Sequence, residues 1–218
     1  MVCCLGLLGR QCHLFGYGHP TFFVGPTLSD PLSKGGDDLQ LKVWDIRQGF
    51  DQPIITNKRC VIYHTCLRSA LNRVSRFDAG VTCIQSHPNI EHLIAVGSYD
   101  ATVRLFDSRR PLKPLAQADV GGGAWRVKWH PTPSRDHDLL VAAMHDGFKI
   151  VRFHDIGHQM RPPSDANGGN WEIIKRHDDH QSLAYGVDWS HNTRQDQPGQ
   201  ALIASASFYD HALHLWRG

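Results

Sequence analysis

Gly97-Ser98-Tyr99-Asp100-Ala101-Thr102-Val103-Arg104-Leu105-Phe106-Asp107 joins a small residue, an acidic tight turn, a β-branched run and an aromatic followed by a charge. The same phrase occurs as Gly36-Asp37-Asp38-Leu39-Gln40-Leu41-Lys42-Val43-Trp44-Asp45 and as Ala206-Ser207-Phe208-Tyr209-Asp210-His211-Ala212-Leu213-His214-Leu215-Trp216-Arg217. A looser copy is Met144-His145-Asp146-Gly147-Phe148-Lys149-Ile150-Val151-Arg152. In the three tight copies the turn aspartate precedes the closing aromatic by six residues. An acidic turn followed by alternating apolar residues is the signature of a hairpin entering a half-buried strand.

The turn aspartates fall at 38, 100, 146 and 210, in steps of 62, 46 and 64 residues. A WD repeat takes roughly 40–45 residues and supplies four strands. Each step therefore holds one repeat, two of them lengthened by insertions. The expected fold is all-β, an incomplete WD-repeat β-propeller of three full repeats plus a remnant, where closed propellers typically have four to eight blades. Alternation and turn punctuation place strands at Val81–Gln85, Leu93–Gly97, Thr102–Asp107 and near Pro114–Ala118 in the second repeat. The third offers Ala124–Trp129, Leu139–Ala143, Phe148–Arg152 and Trp171–Lys175. The fourth offers Ala184–Trp189, Ala201–Ala206 and Leu213–Trp216, one strand short of a blade.

The same spacing divides the chain into a non-matching segment 1–34, a remnant repeat 35–59, an insertion 60–77 and three repeats over 78–218. Ser29–Lys34 contains Pro31 among polar residues and reads as a poor strand. Thr21–Val24 is a weak candidate for completing the last blade. Removing the 18 residues Cys60–Phe77 would shorten the 62 step to 44, an ordinary repeat. Two explanations stay open: unspliced intron translated at Cys60–Phe77 and over Met1 to about Lys34, or a genuine surface insertion, which costs little in loop-closure entropy.

Composition narrows the function classes. Apolar residues make up 41% and charged residues 20%, ordinary for a globular protein, and the net charge of +2 gives no nucleic-acid footprint. The cysteines at 3, 4, 12, 60, 66 and 83 form no C-x-x-C pair, so neither a zinc ribbon nor a redox motif is expected. With no disulfide framework the expected compartment is reducing, and a cytoplasmic protein is expected. The apolar run at Met1–Gly9 stops at Arg10, too short for a membrane span and without the basic start of a signal peptide. No cofactor motif is present.

Beyond blade construction, several phrases are particular: Gly121-Gly122-Gly123-Ala124-Trp125-Arg126-Val127-Lys128-Trp129-His130-Pro131, Tyr185-Gly186-Val187-Asp188-Trp189-Ser190 and Ser207–Trp216. With Val81–Pro88 and Ala143–Ile150, they resemble the diphthine methyl ester hydrolase family of WD-repeat proteins, historically named diphthine methyltransferases. The resemblance covers roughly Gly35–Arg59 and Asp78–Gly218. It implies hydrolysis of a methyl ester on a modified histidine of translation elongation factor 2 in diphthamide biosynthesis, with no nucleic-acid or membrane partner. The alternative is a non-catalytic WD-repeat interaction scaffold, since fold does not fix function.

Ester hydrolysis needs an activated water or nucleophile, a base and oxyanion donors. The sequence contains no G-x-S-x-G elbow. Asp100 and Asp210, with His177 or His180, read as buried structural hydrogen-bonding groups, because buried polar groups must be paired. His177-Asp178-Asp179-His180 has ligand chemistry, but no further ligand is identifiable, and a structural role outweighs a metal. The candidate catalytic residues are His145, His211, Tyr185 and Tyr209, beside turns and inner-strand starts, with Trp125 as a wall. His145 stands where a small turn residue is usual and reads either as a base near neutral pH or, with more weight, as a turn residue hydrogen-bonded to its own blade. Gly121–Gly123 reads either as a source of backbone donors or as a plain glycine-rich loop. For the insertion, transcripts joining Arg59 directly to Asp78 are the outcome expected of an intron, and transcripts that always carry the intervening codons establish a genuine loop.

Overall fold

The computed structural model describes residues 77–110, 113–154, 156, 170–191 and 200–218, the backbone of five short strands between residues 12 and 57, and the side chain of Leu41. Apart from two short 3-10 turns, the regular elements among the described residues are strands, arranged as four antiparallel sheets, each a meander in chain order. The first sheet holds β1 (Cys12–Leu14), β2 (Thr21–Val24), β3 (Leu32–Gly35), β4 (Leu41–Trp44) and β5 (Ile55–Asn57). The second holds β6 (Val81–Ser86), β7 (Leu93–Ser98), β8 (Thr102–Asp107) and β9 (Ala116–Asp119). The third holds β10 (Ala124–Trp129), β11 (Asp138–Ala143), β12 (Phe148–Phe153) and β13 (Trp171–His177). The fourth has three strands, β14 (Ala184–Trp189), β15 (Leu202–Ser207) and β16 (Leu213–Arg217).

Three expectations change. Leu32–Gly35 does form a strand, pairing with both β2 and β4. In sequence Pro31 precedes the strand, and proline is tolerated at the entry to a strand. Thr21–Val24 pairs with β1 and β3 inside the first sheet, not with the last blade. Phe77, assigned by spacing to the insertion, is 2% exposed and packs on Phe106 with ring centroids 6.1 Å apart, so the second repeat begins at or before it. The rest of Cys60–Phe77 lies outside the described residues.

Successive sheets pack face to face, which explains the burial of the middle strands. β7 and β11 are buried at every position. Side chains alternate across a strand, so Leu93 and Ala95 enter the core between the second and third sheets while Ile94 and Val96 enter the core toward the first. In β11, Leu139, Val141 and Ala143 face the second sheet, and Leu140 and Ala142 face the fourth. Each fully buried leucine or isoleucine contributes about 1.5–3 kcal/mol relative to exposure.

The histidines after the inner strands have structural duties. His87 lies edge-on to Trp129 and His130 edge-on to Trp189, both with ring centroids 4.6 Å apart. His87 Nδ1 accepts the Asn89 and Ile90 N–H groups and closes the His-Pro turn. Inner strands are also joined: Trp129 N–H donates to Gln85 Oε1 and the Trp189 indole to the Lys128 carbonyl.

Asp138 opens β11 fully buried, between Arg152, which donates at 2.7 and 2.9 Å, and Arg135 at 2.7 Å. Burial opposes its ionisation, but the two guanidiniums outweigh that and hold its carboxyl below the usual range. Arg135 also donates to the Gly218 carbonyl, tying this cluster to the end of the fourth sheet. Removing one partner of such a set strands the others. Asp138→Asn is expected to lower stability by about 2 kcal/mol at pH 7. Urea unfolding measures this, and an unchanged midpoint contradicts the assignment.

Candidate functional site

In the second, third and fourth sheets the turn between the second and third strands and the loop entering the inner strand lie at the same end. That end carries Tyr99, Trp125, His145, Tyr185, Tyr209 and His211. The turns are built alike. Asp100 accepts Thr102 N–H and the Thr102 hydroxyl, and Asp210 accepts Ala212 N–H and the Ser207 hydroxyl. The residue after each aspartate is left-handed: Ala101 at φ 63°, His211 at φ 52° and Gly147 at φ 70°. Glycine is at ease there, whereas alanine and histidine are strained. His211 is therefore first a turn residue, its ring exposed.

The inner strands share a second device. Register shifts occur between Val81 and Cys83, Ala124 and Arg126, and Ala184 and Gly186. Each leaves one extra residue, and in the third and fourth sheets these are Trp125 and Tyr185. A bulge re-aims the extra side chain, and here it places an aromatic at the end of the blade. Trp125 contacts Tyr99 at 5.8 Å and Tyr185 at 4.8 Å between centroids; Tyr185 contacts Phe208 at 5.2 Å, and Phe208 contacts Tyr209 at 4.8 Å. Five rings from three sheets thus form one continuous row.

The structure brings Tyr185 and Tyr209 together through Phe208. His145 lies exposed in the 3-10 turn Met144–Asp146, which packs beside β14, the strand carrying Tyr185. Gly121–Gly123 is a close-approach loop: a Cβ on Gly122 would stand 2.5 Å from the Ala143 carbonyl oxygen. Tyr99 and Phe208 were missed in sequence as site residues. The available signal was positional, since Tyr99 and Tyr209 both precede a turn aspartate, and Trp125 and Tyr185 are both second in an inner strand.

Asp210, His180, Ser207 and Ser205 superficially resemble a catalytic relay. His180 Nδ1 lies 2.7 Å from Ser207 Oγ and Nε2 lies 2.9 Å from Ser205 Oγ, while the Trp216 indole donates to Ser205 at 3.1 Å. Both serines are buried, Ser205 at 1% exposure, so neither hydroxyl is presented to a substrate. The set fastens the loop before β14 to β15 and β16.

His214 is the third imidazole beside His177 and His180, with ring nitrogens all within 4.8 Å. His177 Nε2 and His214 Nδ1 are 3.1 Å apart, a separation suited to two ligands of one tetrahedral ion. His180 spoils the set. Both its nitrogens are engaged by serines, and its ring stacks on His214 at 3.9 Å and 22°, so their in-plane lone pairs run side by side instead of converging. His177 in turn stacks on Trp216 at 4.8 Å and 11°. The geometry supports a structural stack.

A WD domain, G-beta repeat matches residues 71–107. The chain is similar to a diphthine methyltransferase homolog of Dictyostelium discoideum, 35% identical over 84% of this chain and 45% of the relative. It is similar to the diphthine methyltransferase of Mus musculus, 38% identical over 72% of this chain and 27% of the relative. The Homo sapiens diphthine methyltransferase is 36% identical over 93% of this chain and 54% of the relative. The chain thus spans about half the length, or less, of these curated relatives. A chain in the crystal structure of the mitotic checkpoint complex superposes with a TM-score of 0.59 at 16% identity, covering 86% of this chain and 45% of that one, a likeness of fold alone. The chain carries a WD repeat and is similar to the diphthine methyltransferases over most of its own length.

Burial pushes the His177 imidazole down, His214 adding to this and Asp179 opposing it. Burial also pushes His180 down, reinforced by His214 and His177 against Asp210 and Asp179. The unfolded chain binds these protons first, so stability holds above the ordinary histidine pKa of about 6.5 and is lost as pH falls through the lower folded values. Unfolding midpoints are expected to drop between pH 7.5 and 5.5, and less so in His177→Phe, which keeps the stack on Trp216. Equal drops in both proteins contradict this origin.

Proposed function

We propose that this chain belongs to an enzyme of diphthamide biosynthesis that hydrolyses the methyl ester on a modified histidine of translation elongation factor 2, in the cytoplasm. The observation that carries the reading is its similarity, at 30–38% identity, to five relatives named for diphthine methyltransferase or a homolog of it. The family's alternative reading, a non-catalytic interaction scaffold, draws support from the exposure of the aromatic row. Among the described residues, no helix is long and apolar enough to cross a membrane.

In the proposed reaction a water attacks the ester carbonyl and passes its proton to the His145 imidazole. The tetrahedral oxyanion is stabilised by hydroxyl donors of the Tyr185 and Tyr209 kind. Collapse breaks the acyl–oxygen bond, and the methoxy group leaves as methanol with the proton returned from His145. His211 stands at the rim. His145 is suited to the base role because it is an accessible imidazole on a short turn beside the strand that carries Tyr185.

Methyl-esterified elongation factor 2 is the substrate for the test, with methanol release as the readout. His145→Ala is expected to reduce turnover by about a hundredfold or more, the scale of general-base catalysis, with thermal unfolding unchanged. Undiminished turnover in a folded variant removes His145 from the mechanism. Absence of methanol release by the unaltered protein favours the scaffold.

A further inference from the structure

The row Tyr99–Trp125–Tyr185–Phe208–Tyr209 is more than packing requires. Its outer rings remain open: Tyr99 is 41%, Phe208 50% and Tyr209 70% exposed. Exposed contiguous apolar surface on a protein marks an interaction site, and aromatic rings are enriched in such sites. The row also rests on two strained devices, the inner-strand bulges and the left-handed turn residues, which hold ring-bearing segments in place.

Charge at this end indicates what the rings meet. Asp100 is answered by Arg104 at 3.0 Å. Asp146 is answered by Lys149 and Arg176, but Arg176 is shared with Asp178, one guanidinium between two carboxylates. Asp179 is 80% exposed and has His177 as its ion-pair neighbour, and Asp210 has His180, among the described residues. Burial keeps those two imidazoles neutral near pH 7, and hydrogen bonds from Ser207 and backbone N–H groups keep Asp210 ionised. Among these described groups five carboxylates (Asp100, Asp146, Asp178, Asp179, Asp210) stand against three cations (Arg104, Lys149, Arg176), an excess of negative charge although the chain as a whole is +2.

We propose that the Tyr99–Trp125–Tyr185–Phe208–Tyr209 row is the docking track for a basic segment of a protein partner, whose arginine or lysine side chains lie across the rings while the surrounding carboxylates balance their charge. A cation over an aromatic face gains about 0.5–1 kcal/mol at exposed sites, and arginine also stacks flat on rings. The proposal deepens the hydrolase reading by assigning the substrate's flanking charge, and it rests on that reading only for the identity of the partner. Binding to the row does not require ester chemistry.

The test uses the whole chain and two ester-free peptides, Arg-Gly-Arg-Gly-Arg and the same sequence with citrulline replacing each arginine, titrated at low salt with indole fluorescence and calorimetry as readouts. Citrulline keeps the shape and hydrogen-bonding plane but lacks the charge. The arginine peptide is expected to bind at least about fivefold more tightly, the factor equivalent to about 1 kcal/mol, and to weaken as salt rises. Tyr99→Leu and Phe208→Leu, which keep apolar bulk at exposed positions, are expected to lose that preference with unchanged thermal unfolding. Equal affinity for the two peptides, or no binding of either, overturns the proposal, the first pointing to an apolar partner. Leucine variants that retain the full preference also overturn it, as does self-association of the chain that is abolished by the same variants. The peptide comparison stands without any variant. Methanol release failing while the arginine preference holds sinks the hydrolase reading alone; the reverse pattern sinks the docking track alone.

Discussion

The second and third sheets depend on being covered on both faces. β7 and β11 are buried along their whole length because each serves two cores at once, one toward the preceding sheet and one toward the following sheet. This constraint explains why the middle strands are nearly continuous apolar runs instead of alternating ones. It also explains why polar residues there are paired so fully. Asp138 can stand at the start of β11 only because Arg135 and Arg152 meet its carboxylate. A sheet removed from such a stack would expose half the side chains of its neighbour's central strand.

The end that carries the aromatic row is a by-product of the same stacking. Inner strands must converge, and each takes up its extra residue as a bulge near its start. The second-position residue is thereby turned out of the ladder, and where it is aromatic it joins the row. The turn aspartates hold the adjacent turns in a left-handed conformation and so fix the approach of Tyr99, Phe208 and Tyr209. Residues that seem chemically eager, such as Asp210 and His180, are consumed by this construction. Beside them Tyr99, Phe208 and Tyr209 keep much of their ring surface exposed. His145 is exposed as well, and His211 is both exposed and a turn residue.

The histidine-rich character of the chain has the same explanation. His87 and His130 brace tryptophans of the next sheet, and His177, His180 and His214 stack in front of Trp216. An imidazole suits these places because it offers a flat ring and two hydrogen-bonding atoms. Burial keeps His177 and His180 neutral, which makes the stack tolerable near pH 7 and costly in acid.

The sequence by itself determined the repeat, the strand order within each blade and the structural duty of the turn aspartates, because hairpin chemistry and side-chain alternation are local. It also carried the phrases that resemble the diphthine methyltransferases. It misjudged Leu32–Gly35, where polar composition and Pro31 outweighed a pairing that only neighbouring strands supply, and Thr21–Val24, whose partners are β1 and β3 and not the last blade. It placed Phe77 in an insertion, since nothing local reveals that its ring fills a core beside Phe106. His214 could not be joined to His177 and His180, nor Tyr99 to Tyr185 and Phe208, by any spacing rule. Those contacts cross from sheet to sheet, and their distances are set by how the sheets stack and by where each inner strand bulges. The local code thus wrote the blades, and the tertiary structure alone decided which of their side chains meet at the end of the stack.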